Sequence, residues 1–348
     1  MGRNRPDGLG RRADYDVVVI GGGPAGAAAA TTLARNGRAV LVLAGRGSHR
    51  TFAVGEGAPP GLDQTVDDVF GAGTFAAGDH LRSLGNRVAW GSDDLVGTDF
   101  MFSPFGAGWH LDRFAFDARL LAAAEAAGAT VSNGIAEPSQ EVTAPVVIDA
   151  SGRRAVHCRR HGAQRLVSDR LTALVAMYPA RQLDDDATTT VEAAEHGWWY
   201  TCPVPRRRRV VAFLTDGDLL VDELRSSSGF ARAARRTNHI AAHLGSSDVP
   251  TSQLVVAADT ARLSPCVGRG WLAAGDAAAS FDPLSSQGIL TAVLMGREAA
   301  MQIDEPTAFS MRYRAIIAHY DAERWAIYQL EQRWPSSRFW SRRHRRDP

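Results

Sequence analysis

Short apolar runs and alanine-rich stretches, separated by glycine turns, set the pattern of the N-terminal part of the chain. Residues 15–20 form a β-branched run typical of a buried strand. The alanine-rich segment that reaches about Asn36 has helical composition, and Gly37 suits the position just past a helix C-terminus. Residues 39–43 predict a second buried strand. The order strand, helix, strand indicates a βαβ unit, in which a glycine turn joins the first strand to the helix.

Later segments alternate between strand and helix patterns. The patterns predict strands at 146–149, 254–258 and 271–274, helices at 116–127, 226–244 and 288–303, and a further helical region that ends near residue 333. Residues 170–215 are rich in Thr, Val, Tyr and Trp with turns between them, which predicts an antiparallel sheet. This segment interrupts the βαβ pattern. We therefore predict an α/β fold, in which a Rossmann-like domain carries an inserted, mainly antiparallel β-sheet domain and C-terminal helices.

Composition excludes several function classes. With 45% apolar and 22% charged residues, the 348-residue chain can form one large globular domain or two smaller ones. Its 39 basic and 38 acidic residues give a formal net charge of +1, which argues against a nucleic-acid-binding protein. The sequence contains no lysine, so reactions that need a lysine amine are excluded. It has no run of about 18 apolar residues, and we expect no membrane span.

The cysteines and histidines predict neither disulfides nor a metal site. Cys158, Cys202 and Cys266 lie far apart, and an odd number of cysteines leaves no fully paired framework. We expect free thiols and a cytoplasmic location. Two histidine pairs at helical spacing lack a nearby third ligand, and we interpret them as surface residues.

The glycine turn of the βαβ unit is the first candidate binding site. It reads Gly-Gly-Gly-Pro-Ala-Gly, and the residues assigned to it are Gly21, Gly23, Ala25 and Gly26. Glycines permit a tight turn and close approach of the backbone to a pyrophosphate, while the helix N-terminus offers free N–H groups and a positive dipole. A merely structural glycine turn is the alternative. The position between a strand and a helix favours dinucleotide binding.

The usual acidic partner of this motif is missing. An acidic residue at the end of the second strand normally binds the ribose hydroxyls. Ala44 occupies that position here, followed by Gly45 and Arg46. We therefore expect weaker binding of the adenosine, and Arg46 is a candidate to contribute to that binding.

Two later segments narrow the dinucleotide to FAD. Asp149 and Gly152 form an Asp-x-x-Gly turn after a predicted strand, and Gly275 with Asp276 ends another. The loop that leads into the following helix adds Pro283, Gln287 and Gly288. Asp276 would accept a hydrogen bond from a ribitol hydroxyl, and the helix start at Gly288 would face the flavin pyrimidine edge, which is anionic in reduced flavin. Each segment alone could be an ordinary strand-to-helix turn, but the three in this order predict FAD.

In these motifs the chain resembles the FAD-dependent monooxygenases of the hydroxybenzoate-hydroxylase type, a superfamily that includes the flavin halogenases. The resemblance covers most of the chain. It implies that Arg113 contacts the flavin and that Glu56, in Gly-Glu-Gly-Ala-Pro-Pro, lies along it. Halogenases of this superfamily also carry Trp-x-Trp-x-Ile-Pro and an essential lysine. This chain has neither, so the resemblance argues against halogenation.

A smaller branch, the LodB-like flavoproteins, is similar in more of the sequence. The similar segments are Gly-Trp-Trp-Tyr at 197–200, Phe-Asp-Pro-Leu-Ser-Ser-Gln-Gly at 281–288, and the ending at 330–340. These flavoproteins mature quinone-cofactor oxidases by oxygenating a tryptophan of a partner protein. The resemblance implies an FAD-dependent monooxygenase that hydroxylates an aromatic ring, foremost the indole of a peptide- or protein-borne tryptophan, through a flavin C4a-hydroperoxide.

Three residues are the catalytic candidates under this hypothesis. Glu56 would steer the ring proton, while Trp198 and Trp199 would position the substrate, with Trp109, Tyr200 and Phe281 as further aromatic neighbours. Core packing is the alternative for each tryptophan. The electron source would be NAD(P)H or a separate flavin reductase. The partners would be a tryptophan-carrying peptide or protein or a small aromatic molecule, and a flavin reductase, with no nucleic acid and no membrane.

Two other functions remain open. A flavin-dependent dehydrogenase or reductase of a small natural-product intermediate is one alternative, and a non-catalytic binding protein is the other.

The domain limits follow from the motifs. We assign 14–168 to the first part of the FAD-binding domain, with excursions toward the substrate domain. The remaining limits are 169–258 for the β-sheet substrate domain, 259–303 for the last part of the FAD-binding domain, and 304–348 for C-terminal helices and a frayed basic tail.

Overall fold

The computed structural model describes residues 15–45, 56–132, 144–181 and 186–345. Its helices are α1 (Pro24–Arg35), α2 (Leu62–Phe70), α3 (Arg113–Ala126), α4 (Val156–Arg160), α5 (Ser227–Ala234), α6 (Gly288–Met301), α7 (Pro306–Gln329) and α8 (Arg338–His344). The strands up to residue 149 are β1 (Val17–Ile20), β2 (Val40–Leu43), β3 (Gly57–Ala58), β4 (Leu81–Ser83), β5 (Gly85–Ala89), β6 (Val96–Asp99), β7 (Gly108–His110), β8 (Thr130–Ser132) and β9 (Val146–Asp149). The later strands are β10 (Gln164–Val167), β11 (Leu171–Pro179), β12 (Thr188–Ala194), β13 (Gly197–Val204), β14 (Arg208–Asp216), β15 (Ser252–Ala257), β16 (Ala261–Ser264), β17 (Val267–Gly268), β18 (Trp271–Ala273) and β19 (Ala279–Ser280).

A six-stranded sheet forms the centre of the nucleotide-binding region. Its order is β17-β18-β9-β1-β2-β8, and every pairing is parallel except β17 with β18. Ile20 lies in register with Leu43 on one side and Asp149 on the other, so the predicted motifs meet at one edge. Helix α1 packs against α3 and α6. Its small buried alanines let these helices approach closely.

A seven-stranded sheet forms the second layer. Its order is β15-β11-β14-β13-β12-β5-β6, and all pairings are antiparallel except β12 with β5. Alternate residues of the strands point to opposite faces. One face packs on the C-terminal helices α7 and α8, and the other is covered by α5 and the short turn at 240–243. Strands β5 and β6 show that the chain enters this sheet before residue 100.

The predicted fold class is confirmed. The parallel sheet, the inserted mainly antiparallel sheet and the C-terminal helices are all present. One predicted helix is shorter than expected, because 226–244 divides into α5 and a 3-10 turn at 240–243. The carboxylate of Glu192 accepts hydrogen bonds from the N–H groups of Asn238, His239 and Ile240, which fixes an irregular backbone there. The assigned domain limits stay a prediction.

The C-terminal segment is more ordered than its basic composition predicts. Residues 338–344 form α8, in which Phe339 and Trp340 are fully buried. The indole Nε1 of Trp340 donates to the carbonyl of Ala194 at 2.9 Å. Arg343 is buried as well and pairs with Asp216. The prediction of a frayed tail is therefore wrong for the described residues up to 345, since the arginines contribute packing as well as charge.

Candidate active site

The two large sheets enclose a cavity of about 370 Å³. The glycine turn and the loop after β19 line one side of it. The C-terminal-helix face of the seven-stranded sheet lines the other side. Eleven of the residues predicted from sequence reach this cavity, namely Gly23, Ala25, Glu56, Arg113, Gly152, Trp198, Tyr200, Asp276, Phe281, Pro283 and Gly288. Arg46 lies outside the described residues.

The glycine turn packs closely against the protein at Gly21 and Gly26 and faces open space at Gly23. A Cβ atom on Gly21, which has φ +112°, would lie 2.2 Å from the carbonyl oxygen of Ala150. A Cβ atom on Gly26 would lie 1.9 Å from the carbonyl oxygen of Gly21. Around Gly23, by contrast, a Cβ atom would meet nothing within 4 Å. The open space therefore begins at the N-terminus of α1, where free N–H groups favour an anion.

Ala25 and Gly275 join the glycine turn to the rest of the site. A Cβ atom on Gly275 would lie 2.7 Å from the Cβ of Ala25, so the turn after β18 packs directly on α1. Helix α6 approaches the same residue, since a Cβ atom on Gly296 would lie 2.1 Å from the carbonyl oxygen of Ala25. These contacts hold the glycine turn, the Gly275–Asp276 turn and α6 together at one side of the cavity.

Asp149 organises the site from within the protein. Its side chain is fully buried and does not line the cavity. One carboxylate oxygen accepts from the N–H of Ser151, and the other accepts from the N–H groups of His157 and Cys158 at 2.8 and 3.0 Å. The carboxylate thereby fixes the turn that presents Gly152 and begins α4. Asp149 thus supports a turn at the cavity without lining the cavity itself.

Charged side chains surround the middle of the cavity. The Asp276 carboxylate faces the cavity and lies 3.8 Å from the Nε of Arg153. Burial raises the pKa of Asp276, and the positive charges of Arg153 and Arg113 oppose that rise. Burial alone would lower the pKa of Arg113, but its ion pair with Asp117 at 3.0 Å and the carboxylates of Glu56 and Asp276 raise it overall. The Arg113 guanidinium at the cavity wall is thus held by Asp117 and attracted by the charges of Glu56 and Asp276.

The loop before α6 completes this side of the site. Asp282 accepts a hydrogen bond from the N–H of Leu284 at 3.0 Å, which fixes the 3-10 turn at 283–285. Pro283 and Gly288 line the cavity, whereas Gln287 is exposed at the N-terminal end of α6 and lies outside the cavity lining. The helix start at Gly288 therefore points its dipole toward the cavity.

The opposite wall is aromatic and apolar. Trp198 and Tyr200 of β13 line it together with residues of β11 and β14, while Phe281 reaches the cavity from the loop after β19. The hydroxyl of Tyr200 lies 3.0 Å from the sulfur of Cys202. Burial raises the pKa of Tyr200 well above its usual value, and burial and nearby Glu56 raise that of Cys202 to about 12. Both groups are therefore protonated at neutral pH.

The structure corrects one catalytic assignment. Trp199 neighbours Trp198 in β13, so its side chain points to the opposite face of the sheet. It packs there against Phe213 and Phe230, and it does not line the cavity. Trp109 is also buried elsewhere, against Phe75. Alternation along a strand explains why only one of two adjacent tryptophans can face a ligand.

Some residues of the site were not predicted. Arg153 follows the predicted Gly152 and faces the cavity, and its position after that turn was the available signal. Tyr328 of α7 reaches the Asp282 carboxylate at 2.7 Å, and no local pattern indicates this contact. Among the described residues, no group of three or more His, Cys, Asp or Glu side chains could hold a metal ion. None of the helices in the described ranges is long and apolar enough to cross a membrane.

The residues present fit FAD. The open space at Gly23 leaves room for a pyrophosphate at a helix N-terminus, and Asp276 offers a carboxylate to a ribityl hydroxyl. The apolar wall opposite these groups suits a flat ring system. The cofactor assigned from the sequence motifs is thus compatible with the geometry.

Comparisons with known proteins find similar flavin-dependent enzymes. The pattern of the pyridine nucleotide-disulphide oxidoreductase family matches residues 15–99. LodB of Marinomonas mediterranea, described as an FAD-dependent oxidoreductase, is 29% identical over 95% of this chain and 97% of its own length. A digeranylgeranylglycerophospholipid reductase of Methanoculleus marisnigri is 27% identical over 89% of this chain and 81% of its own length.

Solved structures share the fold. The myxobacterial chondrochloren halogenase CndH superposes with a TM-score of 0.81 at 20% identity, covering 96% of this chain and 86% of its own. The peptidyl tryptophan dihydroxylase QhpG, described as essential for tryptophylquinone cofactor biogenesis, gives a TM-score of 0.74 at 22% identity, covering 94% of this chain and 78% of its own. These matches confirm the resemblance found in the motifs. The chain is an FAD-dependent oxidoreductase with the fold of the flavin-dependent halogenases and hydroxylases.

Proposed function

We propose that the protein is a monooxygenase that uses FAD to hydroxylate the indole ring of a tryptophan carried by a peptide or protein. One observation carries this proposal. An aromatic wall formed by Trp198 and Tyr200 faces the same cavity as the groups that fit FAD, and Phe281 of the loop after β19 lines this cavity too. A flat, electron-rich ring can stack in such a cavity beside a flavin.

The wall suits an indole in shape and polarity. The cavity is also lined by apolar residues from three strands, most of them small, namely Ala173, Val175, Val210, Ala212, Leu214 and Val256. Small side chains leave room for a two-ring substrate, and an apolar surface favours its burial by about 25 cal/mol per Å² of apolar area. Glu56 and Tyr200 are polar groups at this wall that could orient an indole N–H.

The reaction assigns distinct tasks to the cofactor and to the protein. Reduced FAD, when bound, supplies the chemistry that transfers one atom of O₂ to the ring, while the other atom leaves as water. The two electrons come from NAD(P)H or from a separate flavin reductase. The protein holds the ring against Trp198 and excludes water. Glu56 accepts the proton that leaves the ring carbon as the C–H bond is replaced by C–OH.

The relatives support a peptide or protein as the substrate carrier. QhpG is described as acting on a peptidyl tryptophan, and LodB matches nearly the whole chain. The three cysteines are free in the structure, which fits the proposed cytoplasmic location. A halogenase is the less suitable function for a chain without lysine, although the fold is shared.

A reductase that adds hydrogen to a carbon–carbon double bond is the second candidate. The similarity to the prenyl-lipid reductase of Methanoculleus marisnigri favours it, because an apolar cavity could also take a hydrocarbon chain. The two functions differ in their need for oxygen. A monooxygenase consumes O₂ in each turnover, whereas a reductase works without it.

Mass spectrometry of a tryptophan peptide tests the proposal. The FAD-loaded protein, a flavin reductase with NADH, and a tryptophan peptide are incubated under ¹⁸O₂. We expect one ¹⁸O atom on the tryptophan and none on a matched peptide with phenylalanine in its place. Glu56→Gln should lower the rate by about a hundredfold while FAD stays bound. Anaerobic reduction of an alkene substrate, with no labelled peptide formed under ¹⁸O₂, would overturn the proposal in favour of a reductase.

A further inference from the structure

A buried chain of hydrogen bonds joins the aromatic wall to the loop before α6. The indole Nε1 of Trp198 donates to the hydroxyl of Tyr328 at 3.3 Å. The same hydroxyl donates to the carboxylate of Asp282 at 2.7 Å. All three side chains are 2% exposed or less. Helix α7 therefore connects two sides of the cavity that belong to different sheets.

The direction of this chain is fixed by the chemistry of its members. An indole N–H can only donate, and an ionised carboxylate can only accept. The side chain between Trp198 and Asp282 must therefore accept from one and donate to the other, which a tyrosine hydroxyl can do. A buried indole N–H without an acceptor would cost free energy, as would a carboxylate that loses a donor.

Asp282 transmits this contact to the loop. The carboxylate oxygen that does not meet Tyr328 accepts from the N–H of Leu284, and the backbone N–H of Asp282 donates to the hydroxyl of Tyr320 at 2.6 Å. Pro283, the next residue, lines the cavity. Movement of the Asp282 carboxylate would therefore change the backbone that borders the cofactor side of the cavity.

The ring of Tyr328 is held independently of its hydroxyl. The guanidinium groups of Arg324 and Arg343 each lie 5.3 Å from the ring centroid. Removal of the hydroxyl alone would therefore leave the ring in place and break only the hydrogen-bonded chain. This makes phenylalanine a selective probe at the position.

We propose that Tyr328 is a positioning residue that couples the aromatic wall at Trp198 to the loop 282–288. The hydrogen bond between Trp198 and Tyr328 would thereby influence the affinity of the site for FAD. This role goes beyond the oxygenation reaction. It predicts that a change at Trp198 reaches the cofactor through the Tyr328 hydroxyl, although Trp198 lies on the opposite side of the cavity.

A double-mutant cycle on FAD affinity tests this coupling. The dissociation constant of FAD is measured by flavin fluorescence in the wild type, Trp198→Phe, Tyr328→Phe and the double variant. We expect Tyr328→Phe to weaken FAD binding about tenfold, and Trp198→Phe about threefold. The double variant should bind FAD as Tyr328→Phe does, because the first change already breaks the chain.

Tyr313→Phe is the matched control. Tyr313 also lies in α7, is buried, and bonds through its hydroxyl to the backbone of Leu263 and Ala278. Its removal should lower thermal stability as Tyr328→Phe does, with less than a twofold change in FAD affinity. Equal FAD losses in the two tyrosine variants would overturn the proposal, as would effects of Trp198→Phe and Tyr328→Phe that multiply. The measurement needs no substrate, so a failure to hydroxylate tryptophan leaves its result unaffected.

Discussion

Arg343 and Asp216 form an ion pair at 2.7 Å in which the side chains are only 3% and 1% exposed. The pair fastens the last helix to the end of β14, whose residues Ala212 and Leu214 line the cavity. The C-terminal segment thus supports the wall of the active site. Removal of one partner would leave a buried charge with less compensation.

We expect Arg343→Met to lower the free energy of unfolding by about 3 kcal/mol. Methionine keeps much of the side-chain volume, so the loss reports mainly on the charge. The control is Arg342→Met, because Arg342 also pairs with Asp216 at 2.7 Å but its side chain is 34% exposed. That change should lower the free energy of unfolding by no more than about 1 kcal/mol. Urea denaturation measures both, and equal losses would contradict the argument.

Alanine substitutions should separate the two roles of the glycine turn, which are close packing at Gly26 and FAD binding at Gly23. Gly26→Ala would place a methyl group 1.9 Å from the carbonyl oxygen of Gly21, and we expect a protein that folds poorly or fails to bind FAD. Gly23→Ala meets no protein atom within 4 Å, and its φ of −78° suits alanine. It should keep the wild-type melting temperature and still weaken FAD binding by tenfold or more. Calorimetry and flavin fluorescence give the two readouts. A normal FAD affinity in Gly23→Ala would show that the pyrophosphate does not lie there.

The local part of the site could be predicted from the sequence. The glycine turn, the Asp-x-x-Gly turn and the Gly-Asp turn each combine a strand, a special backbone conformation and a helix within a few residues. The parallel sheet then brings Gly21, Asp149 and Gly275 to one edge. Local patterns of this kind determine the backbone conformation of a few consecutive residues, so the sequence alone predicts them.

Contacts between distant segments could not be predicted in the same way. Trp198 and Tyr328 are 130 positions apart, and nothing around Tyr328 signals the hydrogen bond between them. The choice between Trp198 and Trp199 depended on which face of β13 meets the cavity, and that depends on the register of the whole sheet. The sequence predicts a frayed tail around Arg343 because its partner, Asp216, lies in another element.

Substitutions of the two adjacent tryptophans should have different effects. Trp198→Ala removes part of the cavity wall, and we expect the KM for a tryptophan peptide to rise about tenfold or more. Trp199→Phe changes only the packing against Phe213 and Phe230. It should lower the melting temperature by a few degrees and leave the KM unchanged. Steady-state kinetics measure the KM, and thermal unfolding measures the melting temperature. A raised KM in the Trp199 variant would mean that the rear face of the sheet also contacts the substrate.

His110 should make the protein less stable in mild acid. The residue is fully buried beside Thr189, and its Nε2 lies 3.0 Å from the threonine hydroxyl. Burial lowers the pKa of His110 to about 3, and the positive charge of Arg209 acts in the same direction. Between that value and about 6.5, the unfolded chain binds a proton that the folded chain does not bind. The free energy of unfolding should therefore fall as the pH falls through this window, with a slope that approaches about 1.4 kcal/mol per pH unit for this one group.

A glutamine at this position tests the assignment. His110→Gln removes the titrating ring but keeps a group that can bond to Thr189. Urea denaturation between pH 4.5 and pH 7 should show a slope reduced by about one proton relative to the wild type. Part of the slope should remain, because burial and the neighbouring His161 lower the pKa of His157 to about 4. The surface control is His319→Gln, which removes a side chain that is 76% exposed. A His110→Gln variant with the full wild-type slope would show that other groups cause the acid sensitivity.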